Sequence, residues 1–198
     1  MNYDESILAW LQKAEDLKIK GQSEEAIKLI NKIIVEEPDC FEAFEELGDN
    51  YLSLREILKA EKALRQAITV NPESSNAHYL LGFLYSLEQK WKESVTELSN
   101  ADEIMPNHPE ILRCLGWSYY NLNRRSQQGV AILERSKNLC PDDPNILCDL
   151  GVCYMNSEHF LKAIPIFKRV IEIDPDSEQA NECQLFLKIL KNPDYKPD

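Results

Sequence analysis

The chain has 198 residues, 43% of them apolar and 28% charged, which suits a soluble protein long enough for one large domain or an extended array. Thirty-four acidic and 22 basic residues leave a formal net charge of −12, so nucleic acid is a poor partner, because phosphate binding needs clustered Lys and Arg, and basic or neutral proteins fit better. No apolar run approaches the roughly 20 residues needed to span a bilayer, so membrane insertion is not expected.

The chain opens with MNYDESILAWLQKAEDLK, an acidic amphipathic stretch without the basic start or small-residue cleavage site of a secretion signal. A cytoplasmic location is expected. The cysteines Cys40, Cys114, Cys140, Cys148, Cys153 and Cys183 are then expected as free thiols that behave as small hydrophobes. None forms a C-x-x-C pair, so no zinc ribbon or thioredoxin-like motif is present.

Prolines punctuate the remainder of the chain. Pro38, Pro72, Pro106, Pro141 and Pro175 are spaced by 34, 34, 35 and 34 residues, a repeat signal. Aligned on them, ELGDNY (46–51), LLGFLY (80–85), CLGWSY (114–119) and DLGVCY (149–154) share Leu-Gly with Tyr three residues after the Gly. About twelve residues further on, a small residue opens a second apolar segment: Ala60, Ser94, Gly129 and Ala163.

With these motifs the sequence resembles the tetratricopeptide repeat family over residues 3–191. The resemblance implies an all-α fold: a right-handed α-solenoid of about five helix–turn–helix pairs and a capping helix, with no strands. In chain order the repeats cover about 7–40, 41–74, 75–108, 109–143 and 144–177, followed by a cap at about 177–191 and a short tail, 192–198. The whole is expected to form a single domain. Repeat one is degenerate: Trp10, Ala26, Ile30 and Pro38 fit, but Lys13, Ala14 and Leu17 replace Leu, Gly and Tyr. Repeat two fits best, with Phe44, Leu47, Gly48, Tyr51, Ala60, Leu64, Ala67 and Pro72. Repeat four carries one extra residue, placed in the turn NLNRRSQ (121–127). The cap, SEQANECQLFLKILK, is amphipathic, with Lys188 and Lys191 expected to be exposed. In physical terms the repeat Gly lets the second helix (B) approach the first (A), and the Pro ends helix B.

The family's geometry implies that residues 2, 5, 9, 12 and 13 of each repeat's helix A, with residue 6 partly exposed, line a concave groove. Repeat two places an acidic cluster there: Glu42, Glu45, Glu46 and Asp49. From repeat three onward the positions turn apolar, with Tyr79, Phe83, Trp117, Tyr120, Val152, Met155 and Phe186, and Arg113 is nearly the only cation. An exposed apolar strip of this kind marks an interaction site, and aromatics dominate such hot spots. Tyr79 and Phe83 are equally open to a packing role between repeats, and the acidic cluster is equally open to being a solvated face. Trp117 and Tyr120 are assigned to the groove surface. The implied partner is a protein or peptide segment with apolar anchors and a basic end.

The family's carboxylate clamp, which holds acidic chaperone tails, requires cations that no window of this chain supplies. Starting at repeat one the positions read Leu11, Glu15, Glu46, Asn76 and Leu80. The three histidines are dispersed, and no phosphate-cradling loop, Ser/His/Asp order or His-x-x-x-His pair appears, so no enzyme activity is expected. No cofactor is expected either. Cys114, Cys148 and Cys183 stand at nearly equivalent places on successive A helices, and a spacing of roughly 10 Å would keep them from sharing a zinc ion at about 2.3 Å. The function read here is a non-catalytic scaffold or adaptor. The alternatives are a client-specific chaperone or assembly factor, an accessory subunit of an enzyme, and, least favoured, a thiol or metal-binding protein. A further expectation is homo-oligomerisation through the end repeats.

Overall fold

The computed structural model describes residues 4–123 and 126–191. Among these, eleven α-helices and no strand occur. They are α1 (Glu5–Ile19), α2 (Ser23–Glu36), α3 (Phe41–Ser53), α4 (Ile57–Val70), α5 (Ser75–Leu87), α6 (Trp91–Ile104), α7 (Pro109–Leu122), α8 (Gln127–Leu139), α9 (Pro144–Asn156), α10 (Phe160–Ile173) and α11 (Glu178–Leu190). The expected five pairs and cap are therefore present. The turn assigned the extra residue of repeat four runs through positions 124 and 125, which lie outside the described residues, as does the tail. No described helix is long and apolar enough to cross a membrane.

The helices fall into two compact units, one ending at Ile104 and the other beginning at Met105. In the first, α1 with α2, α3 with α4 and α5 with α6 form the pairs, and α3 packs on both α1 and α5. In the second, α7 pairs with α8 and α9 with α10, while α9 packs on both α7 and α11.

Local chemistry sets the helix ends. Ser74, Asp143 and Ser177 stand at N-cap positions, and their side-chain oxygens accept from the backbone N–H of Ala77, of Asn145 and Ile146, and of Ala180, at 2.9–3.1 Å. Each cap satisfies donors that the first helical turn leaves unpaired. Pro109 and Pro144 open α7 and α9, where a missing N–H costs nothing.

The pairs close tightly where the glycines stand. A Cβ on Gly48 would meet the Leu64 side chain at 2.6 Å, and one on Gly151 would meet the Phe167 ring at 2.4 Å. Leu64 and Phe167 are fully buried, as are Leu81, Leu98, Leu133 and Leu150. In α11 the residue in register with these glycines is Leu185, and it is 56% exposed. A second helix could not pack there at the same distance, which agrees with a capping role for α11.

Candidate functional site: the A-helix faces

The ninth position of each repeat, and its equivalent in the cap, forms a series that is open or partly open to solvent. In the first unit these are Glu15, Asp49 and Phe83; in the second they are Trp117, Val152 and Phe186. The twelfth positions behave otherwise, because in the second unit the neighbouring A helix covers them.

In the first unit the acidic cluster of α3 separates into two roles. Lys18 of α1 donates to Glu46 at 3.1 Å and to Asp49 at 2.7 Å. Burial works against the Lys18 charge, but the two carboxylates outweigh it and hold its pKa above the usual value. Burial raises the Glu46 carboxyl against the pull of Lys18. Glu45 is 8% exposed and accepts from the Ser74 hydroxyl and from Asn76 Nδ2, the latter at 2.9 Å. Glu45 thereby orients the N-cap of α5, and its expected place on an open groove is corrected. Glu42 is half-buried beside the Cys40 thiol. On α5 the half-exposed rings of Tyr79 and Phe83 stack, with centroids 6.3 Å apart and planes 22° apart.

In the second unit Arg113 of α7 chelates Glu110 through Nε and Nη2 and reaches Asp149 of α9 through Nη1 at 2.7 Å. Burial opposes the guanidinium charge, yet Glu110, Cys114 and Asp149 hold its pKa above normal. Burial likewise raises Asp149 while Arg113 pulls it down. Beside this pair lies a polar recess lined by Arg113, Asn145, Cys148, Asp149, Glu178, Gln179 and Glu182. Its lining carries three carboxylates against one cation, so it is net acidic.

One helical turn further along α7, Trp117 is partly exposed and stacks on Tyr120 at 6.3 Å. Tyr120 itself is only 4% exposed. Its hydroxyl donates to the Cys153 carbonyl at 3.2 Å and lies 3.3 Å from the Ser157 hydroxyl, fastening α7 to α9. Met155 is 6% exposed in the same core. The expected surface placement of Tyr120 and Met155 is therefore corrected. A twelfth residue points along the A-helix layer and is covered by its neighbour, whereas the ninth, about 60° away around the helix, keeps an open edge. Val152 and Phe186 are half-buried, and Phe186 rests 5.2 Å from the Phe167 ring.

Sequence reasoning missed Lys18, because the degenerate first repeat hides its register. Asp149 stands in the Leu-Gly motif of repeat five and Glu182 in the cap, and nothing in their spacing brings them together with Arg113. The sulfurs of Cys148 and Cys183 are 3.9 Å apart, which corrects the roughly 10 Å spacing expected between equivalent repeat positions. Axis separation sets the distance between backbones, and side chains leaning toward each other remove most of it. Among the described residues no three His, Cys, Asp or Glu groups converge on a metal position. His78 is buried between Glu97 and the Pro72 carbonyl, while His159 is exposed at the start of α10.

Within each unit, helix pairs stacked through their first members define an α-helical repeat protein. One family model described as tetratricopeptide repeat matches residues 45–104, and another matches residues 144–177. Over these two stretches the chain matches the tetratricopeptide repeat family. Anaphase-promoting complex subunit 3 of Schizosaccharomyces pombe is 28% identical over 111 residues, which is 56% of this chain but only 17% of that protein. A thermophilic tetratricopeptide repeat protein of Thermus thermophilus superposes with a TM-score of 0.78 at 18% identity, covering 92% of this chain and 99% of the other. A chain of the Cut9–Hcn1 hetero-tetramer of the anaphase-promoting complex superposes with a TM-score of 0.81 at 18% identity, covering 88% of this chain and 35% of its own. YrrB, a repeat protein with an unusual peptide-binding site, superposes with a TM-score of 0.67 at 19% identity, covering 89% of this chain and 90% of its own.

Proposed function

We propose that the protein is a non-catalytic interaction scaffold that holds a partner segment against the A-helix face of its second unit. The observation that carries this reading is the adjacency, within one unit, of an apolar series and an acidic recess. Trp117, Val152 and Phe186 offer partly exposed apolar surface on three successive A helices, and the recess of Asp149, Glu178 and Glu182 begins one turn away. A segment with an apolar anchor followed by Lys or Arg is complementary to both. In the first unit, Glu46 and Asp49 already share Lys18, so a basic partner there must compete with an internal cation. The test is affinity capture with wild type, Trp117→Ala and a Glu178→Lys/Glu182→Lys variant, followed by identification of what is lost. Capture of the same partner by all three would overturn the reading.

A second reading is a component or assembly factor of a larger complex. It is favoured by the relationship to a subunit of the anaphase-promoting complex, of which this chain matches a small part. Leu8 on α1 and Leu185 on α11, both exposed, are the side chains that association through the ends would bury. A cytoplasmic setting with reduced thiols suits either reading.

A further inference from the structure

We infer that Cys148 and Cys183 form an oxidisable thiol pair, a modification site at which a small uncharged peroxide converts the contact between the last repeat and its cap into a covalent staple. The two residues lie on α9 and α11, with sulfurs 3.9 Å apart. That separation is thiol contact distance, about 1.9 Å longer than a disulfide bond of roughly 2.05 Å. Rotation about the two Cα–Cβ bonds and a small shift of α11 close it. Such a shift is available because α11 is held by α9 and α10 while Leu185 on its other side is open to solvent.

Access and electrostatics select the oxidant. Cys148 lines the recess, so one sulfur of the pair borders solvent, whereas Cys183 is fully buried behind it. The contact with Cys148 draws the Cys183 thiol below its usual pKa against the effect of burial, while the same contact and burial push the Cys148 thiol up. Asp149, Glu178 and Glu182 around the recess repel an anionic oxidant such as a glutathione-type disulfide, but hydrogen peroxide is small and neutral. At the recess Cys148 gives up its proton as its sulfur attacks one peroxide oxygen, the O–O bond breaks and water leaves with that proton, giving a sulfenic acid on Cys148. The second sulfur attacks that sulfur, its S–O bond breaks, and water departs with the displaced proton. The two thiols lose two electrons and two protons in all, and the peroxide becomes two waters.

The experiment treats the reduced, folded full chain with stoichiometric hydrogen peroxide, blocks the remaining thiols by alkylation and maps the peptides. The expected product joins the Cys148 and Cys183 peptides with the loss of two hydrogens, and dithiothreitol reverses it. Because the bond closes a loop of about 36 residues, the melting temperature should rise by several degrees, and the Cys148→Ser/Cys183→Ser protein should show no such rise. Recovery of both cysteines alkylated, of Cys148 as a sulfinic acid, or of either one bonded to Cys153 would overturn the inference. The same treatment with glutathione disulfide should cross-link at least tenfold more slowly, and an equal rate would overturn the access argument.

Discussion

Tyr120 and Trp117 are three residues apart on one helix and do different work. Tyr120 is buried and hydrogen-bonded to the backbone of α9, so Tyr120→Ala should cost roughly 3 kcal/mol in chemical denaturation. Trp117→Ala should cost less and remove partner capture. Asn50 is fully buried; its amide donates to the Glu46 carbonyl at 2.7 Å, and its Oδ1 has no partner. The corresponding residue of repeat three is the buried Leu84. Asn50→Leu should therefore stabilise the fold by about 1 kcal/mol, read as a higher denaturant midpoint. His78 donates toward Glu97 at 2.7 Å and toward the Pro72 carbonyl at 3.1 Å, a double role that only the imidazolium fulfils. The hydrogen bond to Glu97 raises its pKa above 6.5 against burial, with help from Pro72 and Glu73. Because the folded value lies above the unfolded one, this contribution is complete below about pH 6.5 and is lost as pH rises through the folded value. Wild type should lose on the order of 1 kcal/mol across that window relative to His78→Leu, measured as denaturant midpoints against pH.

Among the elements, the turns inside each repeat are the informative ones. Gly21, Arg55, Gln89 and Glu158 all adopt positive φ, between 58° and 74°, after the first helix of their pairs. In each, the next residue's N–H reaches back five residues: Gln22 to Leu17, Glu56 to Tyr51, Lys90 to Tyr85 and His159 to Tyr154, at 2.8–2.9 Å. Among these four turns only the first carries glycine. The left-handed conformation costs a side chain about 1–2 kcal/mol, and part of that returns as glycine's greater freedom in the unfolded chain. Gln89→Gly should raise stability by roughly 0.5 kcal/mol, visible as slower amide exchange in α5 and α6.

For the whole molecule, charge and division matter most. A net charge of −12 steers basic partners toward the chain from beyond contact distance. Association with the captured partner should slow by tenfold or more between low salt and about 0.5 M salt, while dissociation changes little. An association rate insensitive to salt would place the recognition on the apolar series alone. The two units each carry their own core. The clusters around Ile30 and Leu64 belong to the first, and the cluster around Phe167 belongs to the second.

Much of this was legible in the sequence alone. The proline period, the Leu-Gly-Tyr motif and the small residues opposite it determined the helix pairs, their order and the cap, because helix packing follows local periodicity and close approach demands glycine. Tertiary structure alone decided which A-helix residues remain open. A 3.6-residue period assigns a face, but exposure depends on how far the next helix overlaps it. That overlap buried Glu45, Tyr120 and Met155, gave Glu46 and Asp49 an internal cation in Lys18, and set two cysteines 35 positions apart in contact.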